Sequence, residues 1–150
     1  MSIETTIARI KKMREANAPD SPQLRQALTR IGVRVAAQIR LNIRKEGIID
    51  RSALFNSIDW KLGTTSDGAF VEVGTYGIKY AAMNEYGGPV SRAQMRAMFA
   101  AMRERNGKGK RPPKGIIKDG YWKERPFIRP ALKESRAYIL DIIRTLGKPE

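Results

Sequence analysis

Residues able to carry out chemistry are few in this chain, and they form no complete catalytic set. The sequence contains no cysteine and no histidine, which removes thiolate chemistry together with the commonest general base and metal ligand. Ser52 and Ser57 therefore have no histidine to activate a hydroxyl nucleophile. Gly107 and Gly109 are not followed by the Gly-Lys-Ser/Thr of a phosphate-binding loop. We expect a protein that is not an enzyme and that uses neither a cofactor nor a metal.

Carboxylates leave one enzymatic alternative, a metal-dependent nuclease. Asp59, Asp67 and Glu72 lie close together in the sequence, and carboxylate oxygens suit Mg²⁺. A strand site of this kind needs a lysine soon after Glu72, where the sequence has Val73 and Gly74. The nuclease hypothesis predicts magnesium-dependent plasmid cleavage that is lost when Asp59 or Glu72 is replaced.

Net charge is the strongest compositional signal. The 29 lysines and arginines against 15 acidic residues leave a net charge of +14, with a pI near 10.4. Such an excess attracts polyanions through sequence-independent contacts with phosphates. Nucleic acid is therefore an expected partner.

The basic excess is concentrated between residues 101 and 125, around a loop rich in glycine. This region supplies the candidate contacts with nucleic acid or with a DNA-filled lumen, which are Arg103, Arg105, Lys108, Lys110, Arg111, Lys114 and Lys118. The alternatives are a solvated loop, or one that becomes ordered against an acidic protein. No aromatic residue lies between Gly107 and Gly115, which argues against stacking on single-stranded bases.

Length and hydropathy bound the organisation of the chain. At 150 residues with 41% hydrophobic residues, the chain can bury one core. We expect an N-terminal arm over 1–20 and one domain over 21–147, with an insertion at about 89–123. No stretch approaches the roughly 20 apolar residues of a membrane helix, and the N-terminus does not resemble a leader segment. We therefore expect synthesis in the cytosol and no membrane partner.

The first half of the domain predicts a long helix followed by a hairpin. Ser21 is an N-cap, Pro22 occupies the first helical position, and Gly47 ends the helix. Apolar residues recur along it at spacings of three and four, namely Leu24, Leu28, Ile31, Val35, Ile39 and Ile43. The segment 50–58 predicts a short capped turn or helix that brings Leu54 and Ile58 inward.

Alternating residues over 57–62 and 69–73 predict an antiparallel hairpin. Its half-buried face is expected to comprise Ile58, Trp60 and Leu62, with Phe70 or Val71 and Val73 opposite.

The second half predicts three further elements. A short helix is expected over 78–86, ended by Gly87 and Gly88, and a helix capped by Ser91 carries the apolar stripe Met95, Met98, Phe99 and Met102. Core packing is the favoured role of this stripe, with docking of a neighbouring subunit as the alternative. Asp119-Gly120 predicts a two-residue hairpin, and the last helix is expected to start near Pro130. The fold class is α+β, with a long N-terminal helix packed on a small antiparallel sheet, a basic insertion and a C-terminal helix.

Several short motifs occur in order along this pattern. Leu54 and Asn56-Ser-Ile58 match part of "TG-x-L-x-x-SI", although Asp50-Arg51-Ser52 replaces the Thr-Gly. Downstream, "VGT…YA…EFG" and "PF-hydrophobic-RPAL" are matched by Val73-Gly74-Thr75, Tyr80-Ala81, Glu85-Tyr86-Gly87 and Pro126 to Leu132. In these motifs the chain resembles the minor tail proteins of tailed bacteriophages, the tail-completion or head-to-tail neck family, over about 24–146.

The resemblance implies a structural protein of the virion that is assembled in the host cytoplasm. Its expected partners are further copies of itself in a ring, the neighbouring connector, tail terminator or tail tube proteins, and genomic DNA passing nearby. The candidate residues for the subunit interface are Tyr80, Glu85, Tyr86, Pro126, Phe127 and Arg129. A cellular DNA- or RNA-binding protein without sequence preference is the alternative function.

Within such a ring, Glu85 is expected to pair with Arg129 of a neighbouring subunit, because a guanidinium suits bidentate contact with a carboxylate. The alternative is that Glu85 is a solvated surface carboxylate and that Tyr80, Tyr86 and Phe127 are ordinary core residues.

Overall fold

The structure is a computed structural model that describes residues 15, 18, 21–48, 51–66, 68–78, 80–106 and 117–146. The elements in chain order are α1 (Pro22–Lys45), α2 (Arg51–Asn56), β1 (Ile58–Thr65), β2 (Gly68–Thr75), α3 (Ala81–Tyr86), β3 (Gly88–Pro89), α4 (Arg92–Asn106), β4 (Ile117–Lys118), β5 (Tyr121–Trp122) and α5 (Ile128–Leu146). The expected α+β class is confirmed, with a long N-terminal helix, small antiparallel sheets and a C-terminal helix.

Local sequence signals set the ends of α1. The Leu24 N–H donates to Ser21 Oγ at 3.1 Å, which satisfies one of the amides that the start of a helix leaves unpaired. Gly47 follows the last turn with a φ of +59°, a conformation that suits glycine at the end of a helix. The predicted N-cap and C-terminal glycine of this helix are both confirmed.

The described residues fall into two compact units, each of which is built from separate stretches of chain. The first contains α1 up to Gln38, the hairpin segment Trp60–Val73, and α5 from Leu132. The second contains Ile39–Asp59 and Gly74–Ala131. The expectation of a single domain over 21–147 stays a prediction.

In the first unit, α1 approaches the hairpin closely at Gly32. A Cβ built on Gly32 would lie 2.9 Å from Val71 Cγ2 and 3.0 Å from Trp60 Cδ2. Val71 and Val73 are half-buried, whereas Phe70 is 46% exposed and its ring lies against Gly63. Of the two residues that alternation left open, Val71 and not Phe70 therefore lies with Val73 on the half-buried face of the hairpin.

Replacing Gly32 by alanine should lower the free energy of unfolding by up to about 2 kcal/mol. The strain of an extra methyl group in a packed site costs about 1 to 3 kcal/mol, and the better helix propensity of alanine returns up to about 1 kcal/mol. Urea denaturation measures the difference. Gly74→Ala is the control, because no atom of the described part of the chain lies within 4 Å of a Cβ at that position. An equal loss in both variants would contradict the close approach.

The second unit contains a three-stranded antiparallel sheet in the order β3-β5-β4. The β4-β5 turn has Asp119 at φ +53° and Gly120 at φ +74°, as expected of a two-residue turn with both central residues left-handed. Trp122 is fully buried and packs with Val90 against a set of partly buried apolar side chains, which are Met83, Met95, Met98, Phe99 and Ile117. Core packing of the methionine stripe is thus confirmed for Met95 and Met98. The side chain of Met102 lies outside the described residues.

The helix expected over 78–86 begins later than predicted, at Ala81. The last helix, expected to start near Pro130, begins at Ile128. Pro130 is tolerated in the first turn, since an amide there has no partner within the helix. Among the described helices, none combines the length and apolar character needed to cross a membrane.

Candidate functional site

The carboxylate of Glu85 is the centre of the most elaborate polar cluster in the described residues. Glu85 lies near the end of α3, and only 2% of the residue is exposed. The N–H groups of Phe127 and Ile128 donate to its Oε2 at 2.7 and 2.9 Å, and the N–H of Arg129 donates to its Oε1 at 2.9 Å. These amides open α5, where a helix leaves its N–H groups unpaired and favours negative charge. Glu85 therefore caps a helix that starts more than 40 residues further along the chain.

Arg129 closes the other side of the cluster. Its Nε donates to Glu85 Oε1 at 3.2 Å, and its Nη2 donates to the Glu85 carbonyl at 2.6 Å and to Glu124 Oε2 at 3.1 Å. The guanidinium also lies over the Tyr86 ring, 5.1 Å from its centroid. The hydrogen bond with Glu124 raises the pKa of Arg129 above its ordinary value, and Glu85 acts in the same direction. We call Glu85, Tyr86, Glu124 and Arg129 the elbow clamp.

Gly87 allows the chain to pass close to the end of β5 and the residues that follow it. It has a φ of +66°, and a Cβ at this position would lie 2.7 Å from the carbonyl oxygen of Trp122 and 3.0 Å from the N of Glu124. A side chain is excluded both by the conformation and by this close approach. The Asn84 carbonyl accepts from the Arg125 N–H at 2.6 Å, so the backbone also joins α3 to the segment before α5.

Three of the six predicted interface residues, Glu85, Tyr86 and Arg129, belong to this clamp, and the N–H of a fourth, Phe127, donates to Glu85. The pair expected between subunits, Glu85 with Arg129, is formed within one chain. The alternative of a solvated Glu85 is wrong, because the carboxylate is buried among the amides that it accepts from.

The other predicted interface residues differ in exposure. Phe127 is fully buried and is a core residue, whereas Tyr86 is 63% exposed and is not. Tyr80 and Pro126 are half-buried. Tyr86 and Arg129, whose side chain is 51% exposed, are the candidates that present most surface to a neighbour.

Only some of the basic residues predicted to contact nucleic acid lie within the described part of the chain. Lys118 lies on β4 and is exposed. The backbones of Arg103 and Arg105 belong to α4, while their side chains, and the whole of Lys108, Lys110, Arg111 and Lys114, lie outside the described residues. Their contact with nucleic acid stays a prediction.

The carboxylates of the nuclease hypothesis gain no support from the described residues. Asp59 and Glu72 are exposed on the hairpin, and Asp67 lies outside the described part of the chain. Within that part, no group of three or more acidic residues is placed to hold a metal ion.

Sequence reasoning missed two residues that support the clamp. Glu124 binds Arg129 from five residues upstream, and the side-chain amide of Asn42, which is buried on α1, donates to the Phe127 carbonyl at 3.3 Å. A polar residue among the apolar positions of α1 was the available signal for Asn42.

Comparison of the chain with protein-family models, with curated proteins and with solved structures gave no match.

Proposed function

We propose that this chain is a structural protein of the phage head-to-tail neck, of the tail-completion type. It assembles as a homo-oligomeric ring that joins the connector to the tail and lets DNA pass. The elbow clamp is the observation that carries this proposal. It joins two motifs of the resemblance, Glu85-Tyr86-Gly87 and the segment from Pro126 to Leu132, through five hydrogen bonds between Glu85 and Phe127, Ile128 or Arg129.

The chemistry of the clamp favours a structural role over a catalytic one. Each carboxylate oxygen of Glu85 already accepts two hydrogen bonds. A general acid or base must exchange a proton with a substrate within hydrogen-bonding reach. A buried carboxylate whose oxygens are occupied in this way instead fixes the direction in which α5 leaves the elbow.

Exposed apolar residues on α5 support assembly with further copies. Leu132, Leu140 and Ile143 are 49%, 39% and 51% exposed. Their spacing of eight and three residues keeps them within one side of the helix. Solvent-facing apolar residues gathered in this way are typical of surfaces that bind another protein.

The charge of the chain suits the passage of DNA. A net charge of +14 attracts the phosphate backbone without regard to sequence. The same charge also favours the alternative, a nucleic-acid-binding protein of the cell. The two hypotheses differ in what holds the particle together, since a ring needs no nucleic acid.

The oligomeric state after nuclease treatment separates these hypotheses. The purified protein, treated with nuclease and washed in high salt, should run in light-scattering chromatography as one defined oligomer without absorbance from nucleic acid. A monomer under these conditions at tens of micromolar would contradict the ring.

Two exposed tyrosines of the second unit test where the ring contacts lie. Tyr86→Ser should shift the oligomer toward smaller species, because the ring of Tyr86 is 63% exposed beside Arg129. Tyr121→Ser is the matched control, since Tyr121 is 53% exposed and was not predicted at the interface. Equal assembly by both variants would remove Tyr86 from the interface.

A further inference from the structure

Two arginines of α1 share one aromatic ring. The guanidinium carbon of Arg40 lies 5.7 Å from the centroid of the Phe55 ring, and that of Arg44 lies 4.6 Å from it. Both distances fall within the range of cation–π interactions. Arg40 and Arg44 are four residues apart on α1, so their side chains lie on the same side of the helix.

Arg40 is fixed further by the backbone. Its Nη2 donates to the Ile58 carbonyl at 2.7 Å, and Ile58 is itself buried. Arg44 is exposed and Phe55 is half-buried. Among the described residues, neither arginine forms an ion pair with a carboxylate.

A simpler role for these residues accounts for only part of this geometry. Arg44 and Lys45 lie in the last turn of α1, where positive charge is favoured by the helix dipole. That effect fades beyond the last turn and needs no aromatic partner. It explains neither Arg40 nor the shared ring.

We infer that Arg40 and Arg44, held on Phe55, form a site for the phosphate backbone of duplex nucleic acid. Stacking uses the face of a guanidinium and leaves N–H groups at its edge to donate to phosphate oxygens. Because the ring and the Ile58 carbonyl already restrict the two side chains, less conformational entropy is lost on binding. The site is separate in sequence from the basic loop of 103–118.

This inference deepens the proposed function, in which DNA passes close to the protein, and it names a surface for that contact. An acidic protein segment is the other polyanion that two arginines can bind, and the test includes it. Phosphate is favoured here because the charge of the whole chain, +14, suits a partner that carries charge along its entire length.

The first test compares arginines of the same helix. Binding of a fluorescent 20-bp duplex to the full-length protein is followed by anisotropy between 50 and 200 mM salt. Arg44→Ala should weaken binding about fivefold and make the dependence of log affinity on log salt shallower by about one. Arg30→Ala removes the same charge from an exposed position of α1 and should weaken binding less than twofold. Equal losses would overturn the site, because bulk charge would then explain them.

The second test keeps the net charge constant. Phe55→Leu retains both arginines but removes the ring, and Arg44→Lys retains the charge but not the planar guanidinium. Each should weaken duplex binding by about two- to threefold. Circular dichroism checks the fold of both variants, and Arg44→Lys keeps the test valid if Phe55→Leu does not fold. Unchanged binding by folded Arg44→Lys would overturn the role of stacking and with it the site.

The nature of the partner and the independence of the ring are tested in parallel. A fluorescent polyglutamate peptide should bind weakly and show no dependence on Arg44, and an Arg44 dependence equal to that of the duplex would overturn the assignment to phosphate. Arg44→Ala should leave the oligomeric state unchanged. If the wild-type protein is a monomer, the proposed ring is refuted, while the duplex titrations still test the Arg40–Arg44 site. If the protein forms a ring but binds duplex equally well without Arg44, only the site is refuted.

Discussion

Glu85→Ala is expected to lower the free energy of unfolding by about 2 to 4 kcal/mol, because each buried amide left without an acceptor costs about 1 to 3 kcal/mol. The variant leaves the N–H groups of Phe127, Ile128 and Arg129 without the carboxylate that they donate to. It also deprives Arg129 of one of its two carboxylate partners. Urea denaturation followed by far-ultraviolet circular dichroism measures the loss, and hydrogen exchange at the start of α5 should rise with it.

Two further variants isolate the cause of this effect. Glu124→Gln removes the exposed partner of the same arginine, whose side chain is 57% exposed, and should cost less than about 1 kcal/mol. Glu85→Gln keeps the shape of the side chain but turns one acceptor into a donor that faces amides. It should cost about 1 to 3 kcal/mol, the penalty for buried groups left unpaired. If Glu85→Ala costs no more than Glu124→Gln, the clamp does not stabilise the elbow.

Trp122→Ala is expected to cost a similar amount, about 3 to 5 kcal/mol, for a different reason. The side chain of Trp122 is fully buried against Val90, Met83 and the apolar residues of α4. Its Nε1 has no hydrogen-bond acceptor among the described residues, so the loss is one of apolar packing and of the cavity that remains. Thermal unfolding and near-ultraviolet circular dichroism should both report a loosened second unit.

The neighbouring residue provides the control for this prediction. Tyr121 precedes Trp122 on β5 and is 53% exposed, so Tyr121→Ala should change the free energy of unfolding by about 0.5 kcal/mol or less. Similar losses in the two variants would mean that Trp122 does not organise this core.

Elements with signals close together in the sequence were predicted well. Ser21, Pro22 and Gly47 bound α1 as expected, and Ser91 caps α4 through reciprocal hydrogen bonds with Gln94. Asp119-Gly120 forms the expected two-residue turn. In each case the residues that decide the conformation lie within a few positions of one another, and the backbone preferences involved act locally.

Features that depend on distant residues were predicted less well. The start of α5 was predicted only as near Pro130, and the helix begins at Ile128, where Glu85 supplies the acceptors for its first amides. Alternation along β2 left Phe70 and Val71 both open, and the approach of Gly32 to Val71 in the first unit decided between them. A residue remote in sequence contributed the deciding contact each time.

The amino-acid sequence by itself determined the class of fold, the ends of α1, the β4-β5 turn and the absence of histidine and cysteine chemistry, because these follow from residue types and short spacings. Only the tertiary structure decided what Glu85 does. Sequence identified Glu85 and Arg129 as a complementary pair but placed it between two chains. Packing brings α3 against the elbow of the same chain, and burial then makes the carboxylate bind the amides within its reach, since an unpaired charge there would be costly.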